Sequence, residues 1–347
     1  MVDEDQSERL AGVPMRWVGP AKLLLENKEE LVSFPLATYE SPLWPSTERG
    51  ARVSGHCDGI RCTVLDDRMT RSILVEAENA AVAQASLAGI VSRREEIDVV
   101  VAGTSRFCRL VDIHTQQVGG MLYLRLAFTT GDASGHNMVT KASQAIQEWI
   151  LNEFPALRYL SVSGNYCTDK KVSAVNGILG RGKNVVSEMI IPEKICRRFL
   201  KTTAAEVAEL NVKKNLIGTM LAGGVRAANA HYANILLAFY LATGQDAANI
   251  VEGSQGFTHA EARGDDLYFS VTLPNIIVGT VGNGKGLDFV QENMERLGCT
   301  GDRNAGENSR RLAAICAAAV LCSELSLLAA LTNPGELMNA HLKLERK

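Results

Sequence analysis

Leu157-Arg-Tyr-Leu-Ser-Val-Ser-Gly-Asn-Tyr-Cys-Thr-Asp-Lys-Lys171 carries the most information in this chain. Its opening, Leu157–Val162, is an apolar, β-prone run that predicts a strand. Gly164 and Asn165 are turn residues, so the chain leaves the strand in a sharp loop. That loop sets one carboxylate and two ammonium groups, Asp169, Lys170 and Lys171, side by side. Beside low-dielectric walls, such cations face an anion or a carbonyl that is gaining negative charge. On an open surface the same charges are merely solvated, so the remainder of the chain decides the loop's purpose.

Upstream of this segment the pattern alternates. Residues from Glu78 to Arg94 read as a helix, with Ala80, Ala83, Leu87 and Ile90 recurring at helical spacing. Ile97–Ala102 is a short β-branched run that predicts a strand, and Met121–Phe128 alternates Leu122, Leu124 and Leu126 in strand fashion. A second helix is expected from Gly135 to Glu153, with Met138, Ala142, Ala145, Trp149 and Ile150 on one side. Two helices and several strands within so short a stretch predict a compact α+β unit of the ferredoxin-like kind. Downstream the chain is helix-rich: Pro192 opens a helix, and Ala227–Ala242 and Asn308–Ala330 are longer ones, separated by the strand-like Asp266–Leu273. The first seventy residues show little periodicity and many turn residues. The expected fold is therefore α+β: a helix-rich large domain, 1–72 and 172–347, interrupted by a smaller ferredoxin-like α+β insert, 73–160, with 161–171 as the loop between them.

Bulk properties limit the choices. A chain of 347 residues is long enough for a large core and two domains. A net charge of -3 argues against broad nucleic-acid binding, which needs a basic footprint. Eight cysteines without Cys-x-x-Cys spacing suggest reduced thiols rather than a metal or disulfide framework, so no metal is expected. The acidic start is unlike a secretion signal, and Glu324 with small and polar residues breaks the apolar run Leu312–Leu331. The expectation is a soluble, cytoplasmic protein without a membrane span.

Several motifs admit a chemical and a structural reading. Gly177-Ile-Leu-Gly-Arg-Gly-Lys183 has P-loop spacing, but Asn184 stands where Ser or Thr is needed, and no buried strand leads into it. It is read as a decoy. Gly279-Thr-Val-Gly-Asn-Gly-Lys-Gly286 lets a backbone approach a ligand, or is a plain turn. Asp132-Ala-Ser-Gly-His-Asn-Met138 lies where a strand gives way to a helix, a place that suits a phosphate or a simple cap. In Thr104-Ser-Arg-Phe107, Arg106 offers a planar fork and Ser105 a hydroxyl to a phosphate. Glu40, Asp246 and His341 are dispersed acid–base candidates, each with a bland alternative as turn acid, helix cap or frayed terminal residue.

Taken together, these strings resemble the 3-hydroxy-3-methylglutaryl-coenzyme A (HMG-CoA) reductases, close to the class I pattern, from about Val13 to Leu342. The nine-residue loop Ser163–Lys171, Gly244-Gln-Asp-Ala-Ala248 and Lys213-Lys-Asn-Leu216 carry the resemblance most specifically. It implies Glu40, Lys170, Asp246 and His341 as catalytic groups. Arg71, Ser163, Asp169, Lys171, Lys214, Asn234, Ser46 and Arg49 are implied as substrate-binding residues. The insert becomes the cofactor-binding unit, using Ser105, Arg106, Phe107, Asp132, Ser134, Gly135, Asn137 and Met138. The implied reaction is the four-electron reduction of HMG-CoA to mevalonate and free coenzyme A with two NADPH. Arg106 favours NADPH over NADH. The resemblance also implies a homodimer or dimer-based oligomer with shared active sites. Two other readings stay open: NADH-linked oxidation of mevalonate, and a non-enzymatic acyl-CoA-binding homologue. The family's Glu-Asn-x-x-Gly dimer motif is missing from Leu10–Met15, Glu48 replaces an Asn, and Ser134 and His136 replace methionines. Neither the family's eukaryotic membrane anchor nor its C-terminal regulatory serine is expected.

Overall fold

A computed structural model describes residues 11–26 and 28–345, apart from the side chains of 340, 341 and 343–345. Its strands are β1 (Met15–Leu25), β2 (Lys28–Ala37), β3 (Ile60–Ala77), β4 (Arg109–Val118), β5 (Met121–Thr129), β6 (Leu157–Ser161), β7 (Gly182–Ile191), β8 (Ala227–Ala228), β9 (Gly256–Arg263) and β10 (Asp266–Ile276). The first helices are α1 (Leu43–Ser54), α2 (Ala80–Ser92), α3 (Arg94–Ala102), α4 (His136–Glu153) and α5 (Ala174–Leu179). The architecture is α+β.

One strand joins two packing centres. The first part of β3 pairs with β1 and β7, in a sheet ordered β2-β1-β3-β7-β10-β9-β8. From Met69 onward β3 pairs instead with β5 and β6, and β5 with β4. Apolar side chains collect accordingly into two clusters. One surrounds Phe34, Ile60, Phe269 and the long helix Glu307–Leu331; the other gathers Ile73, Leu124, Phe128, Ile146 and Ile150 beneath α2, α3 and α4.

The long helix is apolar on nearly every side because it is enclosed by protein, not because it faces lipid. Gly50 of α1 lets the two helices touch: a Cβ there would collide with the Cys322 backbone. Glu324, the residue that interrupts the apolar run, is wholly buried yet satisfied. It accepts from the backbone N–H groups of Ala230 (3.0 Å) and His231 (2.6 Å) and from Thr258 Oγ1 (2.8 Å). It thereby caps, from another element, the approach to the helix Tyr232–Ala242. All eight cysteines are free thiols.

Four sequence expectations need correction. Ile97–Ala102 is not a strand but the end of α3; Glu95 and Glu96 in its first turn and the Arg94–Asp98 pair at 3.0 Å stabilise a helix that β-branched content obscured. The first seventy residues hold β1, β2, α1 and half of β3, whose mixed burial hides any clean period. The helix expected from Ala227 starts at Tyr232, because Ala227–Ala228 pairs with β9. Pro192 does precede a helix, but only Glu193–Ile195, continued by a π-helical turn over Cys196–Leu200. The Gly177–Lys183 motif runs from α5 into β7, the reverse of a phosphate loop's strand-to-helix order, so its rejection stands.

Candidate active site

The loop after β6 is held in an unusual backbone shape. Asn165, Thr168 and Lys170 all have positive φ (62°, 46° and 55°); asparagine tolerates this region, but threonine and lysine adopt it rarely and need support from their surroundings. That support comes from below. Glu252, wholly buried, accepts the Lys170 backbone N–H at 3.1 Å and an Asn249 amide N–H at 3.1 Å. Arg181, also buried, donates to Asp169 Oδ1 at 2.7 Å and to Thr70 Oγ1 at 3.1 Å, and its Nε lies 3.5 Å from Glu252. Burial pushes the Glu252 carboxyl above the usual carboxylate range. For Asp169 burial acts in the same direction, but the Arg181 charge outweighs it and holds the carboxyl below its usual value.

On this base the Lys170 ammonium reaches across to Asp246, Nζ to Oδ2 at 2.7 Å. That hydrogen bond raises the lysine above its ordinary pKa. Asp246 is lowered: burial opposes its charge, but Lys170 and the Ala248 N–H more than compensate. The pair remains 41% and 45% exposed, so a ligand can reach both groups.

The pair opens into a cleft of about 530 Å³ whose wall includes Arg71, Ser134–Met138, Asp169, Gln245 and the glycine-rich Gly279–Lys285 segment. Arg71 is oriented by two hydroxyls, Thr140 (2.6 Å from Nη2) and Ser163 (3.3 Å from Nη1). His136 lies on the first turn of α4 with Nε2 buried, unpartnered and 3.7 Å from Asp169 Oδ1. Burial, then the Arg181 charge, push its imidazole down to about 4. Lys171 is exposed and donates to the Asp169 carbonyl at 3.1 Å. Cys167 is buried within the loop.

Other predicted residues gather elsewhere. Glu40, Ser46, Arg49 and Asn234 line a second cleft of about 820 Å³, together with His231, Ser326 and the start of the last helix, Glu336–Glu345. Asn234 Nδ2 donates to Glu40 Oε2 at 2.9 Å. Ser46 Oγ and Arg49 Nε both meet Ser326 Oγ at 3.0 Å, and Arg49 also pairs with Glu336. Glu48, the acid in place of Asn, turns away to pair with Arg52 at 3.6 Å. His341 belongs to the last helix, but its side chain lies outside the described residues. Within one chain, then, Asp246 meets Lys170 and not Glu40. Lys214, on the π-helical segment Asn211–Gly218, lines neither cleft.

Of the segment expected at a cofactor, Ser134, Gly135, Asn137 and Met138 line the first cleft. Asp132 does not: its carboxylate accepts from Gly306 N (3.1 Å) and Ser309 N (2.9 Å), anchoring the start of the long helix. Arg106 stacks over Phe107 at 4.6 Å, in a turn with Ser105. This turn lies against the approach to α4, because Thr129 Oγ1 donates to Phe107 O (3.3 Å) and Lys141 Nζ to Thr104 O (3.2 Å).

Sequence reading missed Arg181 and Glu252. Arg181 was in view inside the false P-loop, where the motif's failure concealed the arginine's separate role. Nothing local marks Glu252, whose importance comes entirely from tertiary burial.

The model of the hydroxymethylglutaryl-coenzyme A reductase family matches residues 11–346. The 3-hydroxy-3-methylglutaryl-coenzyme A reductase of Pyrococcus abyssi is 44% identical over 337 residues, covering 96% of this chain and 82% of the relative. That of Methanocaldococcus jannaschii is 42% identical over 339 residues, again 96% and 82%. A class II enzyme of Streptococcus pneumoniae, solved bound to NADPH, superposes with a TM-score of 0.75 at 18% identity, covering 96% of this chain and 88% of that one. The last likeness is one of fold. The family model and the Pyrococcus and Methanocaldococcus relatives show that this chain belongs to the hydroxymethylglutaryl-coenzyme A reductase family.

Proposed function

We propose that the protein reduces HMG-CoA to mevalonate and free coenzyme A with two NADPH. The observation that carries this reading is the Lys170–Asp246 pair, poised at 2.7 Å on the floor of an open cleft. NADPH, when bound, supplies a hydride in each of the two reduction steps. The cleft suits it: α4 opens on Gly135 without a side-chain cap, leaving its first N–H groups for phosphate oxygens, and Arg106 stands exposed nearby. Ser134, Gly135, Asn137 and Met138 would line its path, and Ser105, Arg106 and Phe107 would hold the 2′-phosphate end.

Lys170 stabilises the oxyanion that forms at the thioester carbonyl. Losing one such donor costs about 3 kcal/mol of barrier lowering. Arg71, with Ser163, Asp169 and Lys171, orients the substrate's free carboxylate. His341 protonates the departing thiolate, and Glu40 delivers the proton that completes the aldehyde reduction. Glu40, Asn234, Ser46, Arg49 and the helix bearing His341 border a different cleft from Lys170. We therefore assign the complete site to two copies of the chain, a homodimer or an oligomer built from dimers. Lys214 finds its role at that junction. We assign residues 1–72 and 172–347 to a substrate-binding domain, 73–160 to a cofactor-binding insert and 161–171 to the catalytic loop, in a soluble cytoplasmic enzyme.

The test is HMG-CoA-dependent NADPH oxidation by the purified protein, with coenzyme A release followed in parallel. The reading requires two NADPH consumed per coenzyme A released. Absence of oxidation, or wild-type turnover by Lys170→Ala, overturns it.

A further inference from the structure

The first cleft contains more positive charge than its own carboxylates neutralise. Lys170 is paired with Asp246, and Asp169 with Arg181. Among the described residues Arg71 forms no ion pair, and its hydrogen bonds go to the Thr140 and Ser163 hydroxyls. Lys285 also lines this cleft, and the bond found for its ammonium goes to the Gly244 carbonyl. Among the described residues no carboxylate forms an ion pair with it. An ammonium so placed has given up hydration without gaining a counter-charge, which a bound anion would restore.

The segment carrying Lys285 is fixed in place before any ligand arrives. Gln245 clamps its start, donating to Gly279 O at 3.1 Å and accepting from Gly279 N at 2.9 Å. Gly244 and Gly284 lie back to back, so close that a Cβ on either would strike the other's carbonyl. Thr280 N donates to Asp132 O at 2.8 Å, and Val281 bridges to Ala133. These contacts set the loop beside the start of α4.

We infer that Lys285 is the cation of a diphosphate subsite, formed between the Gly279–Gly286 loop and the Ser134–Asn137 turn. The inference rests on the proposed function. Two spare cations on one cleft call for two anionic groups. Arg71 takes the substrate carboxylate, and Lys285 takes a phosphate. The dinucleotide is the expected source, because the facing wall is the stretch assigned to the cofactor; coenzyme A carries the same chemistry and is the other.

Lys285→Met and Lys285→Arg in the full chain test this, with the Kd for NADPH from fluorescence and KM for both substrates. The methionine variant is expected to raise Kd and KM for NADPH by about tenfold to a hundredfold, the range of a lost charge-assisted hydrogen bond. The arginine variant retains the charge and should recover most of the affinity, which separates charge from folding. A rise confined to KM for HMG-CoA locates the diphosphate on the acyl carrier. Unchanged affinity for both substrates in Lys285→Met overturns the subsite. So does a fall in kcat alone, which would mean that Lys285 acts only by holding Gly244 near Asp246. If the wild type oxidises no NADPH, the proposed function fails. The subsite is then tested by calorimetry with inorganic pyrophosphate, which must bind the wild type and not Lys285→Met.

Discussion

The two clefts hold their carboxylates in opposite ways. Around Lys170 the polar groups are layered: Glu252 and Arg181 are sealed beneath, and Asp169, Lys170 and Asp246 stand above them at the opening. Among the described residues the Glu40 carboxylate has a single hydrogen bond, from Asn234, at a surface that solvent reaches. A pre-organised donor costs little reorganisation when negative charge appears on a substrate, so the layered cleft suits oxyanion stabilisation. A loosely held carboxylate can exchange a proton and move, as a proton donor must. In the two-chain site proposed above, the first cleft would be the rigid half and the second the adaptable one.

The largest effect should come from Lys170→Ala, which is expected to lower kcat about a hundredfold to a thousandfold in the NADPH oxidation assay. Retained turnover would show that the rigid half is scaffold only. Next, Glu252→Ala should destabilise the protein by roughly 3 kcal/mol, because it strips a partner from buried Arg181. Urea denaturation should reveal this loss, whereas Glu40→Ala should remain within about 0.5 kcal/mol of wild type. Equal costs for the two would erase the contrast.

A smaller effect distinguishes His136. Its folded pKa of about 4 lies below the unfolded 6.5, so between these values the unfolded chain binds a proton that the folded chain does not. Stability must therefore fall as pH drops from 6.5 toward 4. His136→Met should gain in melting temperature relative to wild type at pH 5 and not at pH 7.5. An identical difference at both pH values would mean that the imidazole is not held neutral.

How far the sequence revealed these halves follows from where the forces act. The turn chemistry of Gly164 and Asn165 and the charges of Asp169–Lys171 are local, and the loop was legible. The helix α4 and the long helix Glu307–Leu331 were legible because their patterns extend over many residues. The helix α3 was not, since Val99, Val100 and Val101 look like a strand until the Arg94–Asp98 pair is seen. For Asp132 the sequence allows a phosphate site or a cap, but not which helix start it would cap, because its partners Gly306 and Ser309 lie far along the chain. Glu252 was invisible for the same reason, and Glu40's separation from Lys170 is a fact of tertiary placement alone.

The central claim is that Lys170 and Glu40 act together only across two copies of the chain. Co-expression of Lys170→Ala with Glu40→Gln, each expected to be severely impaired alone, tests it in the same spectrophotometric assay. A shared site predicts recovery, since mixed dimers contain one site free of both substitutions; random pairing leaves roughly a quarter of the wild-type rate. If the mixture stays as inactive as either variant by itself, the site is complete within one chain and the account is contradicted.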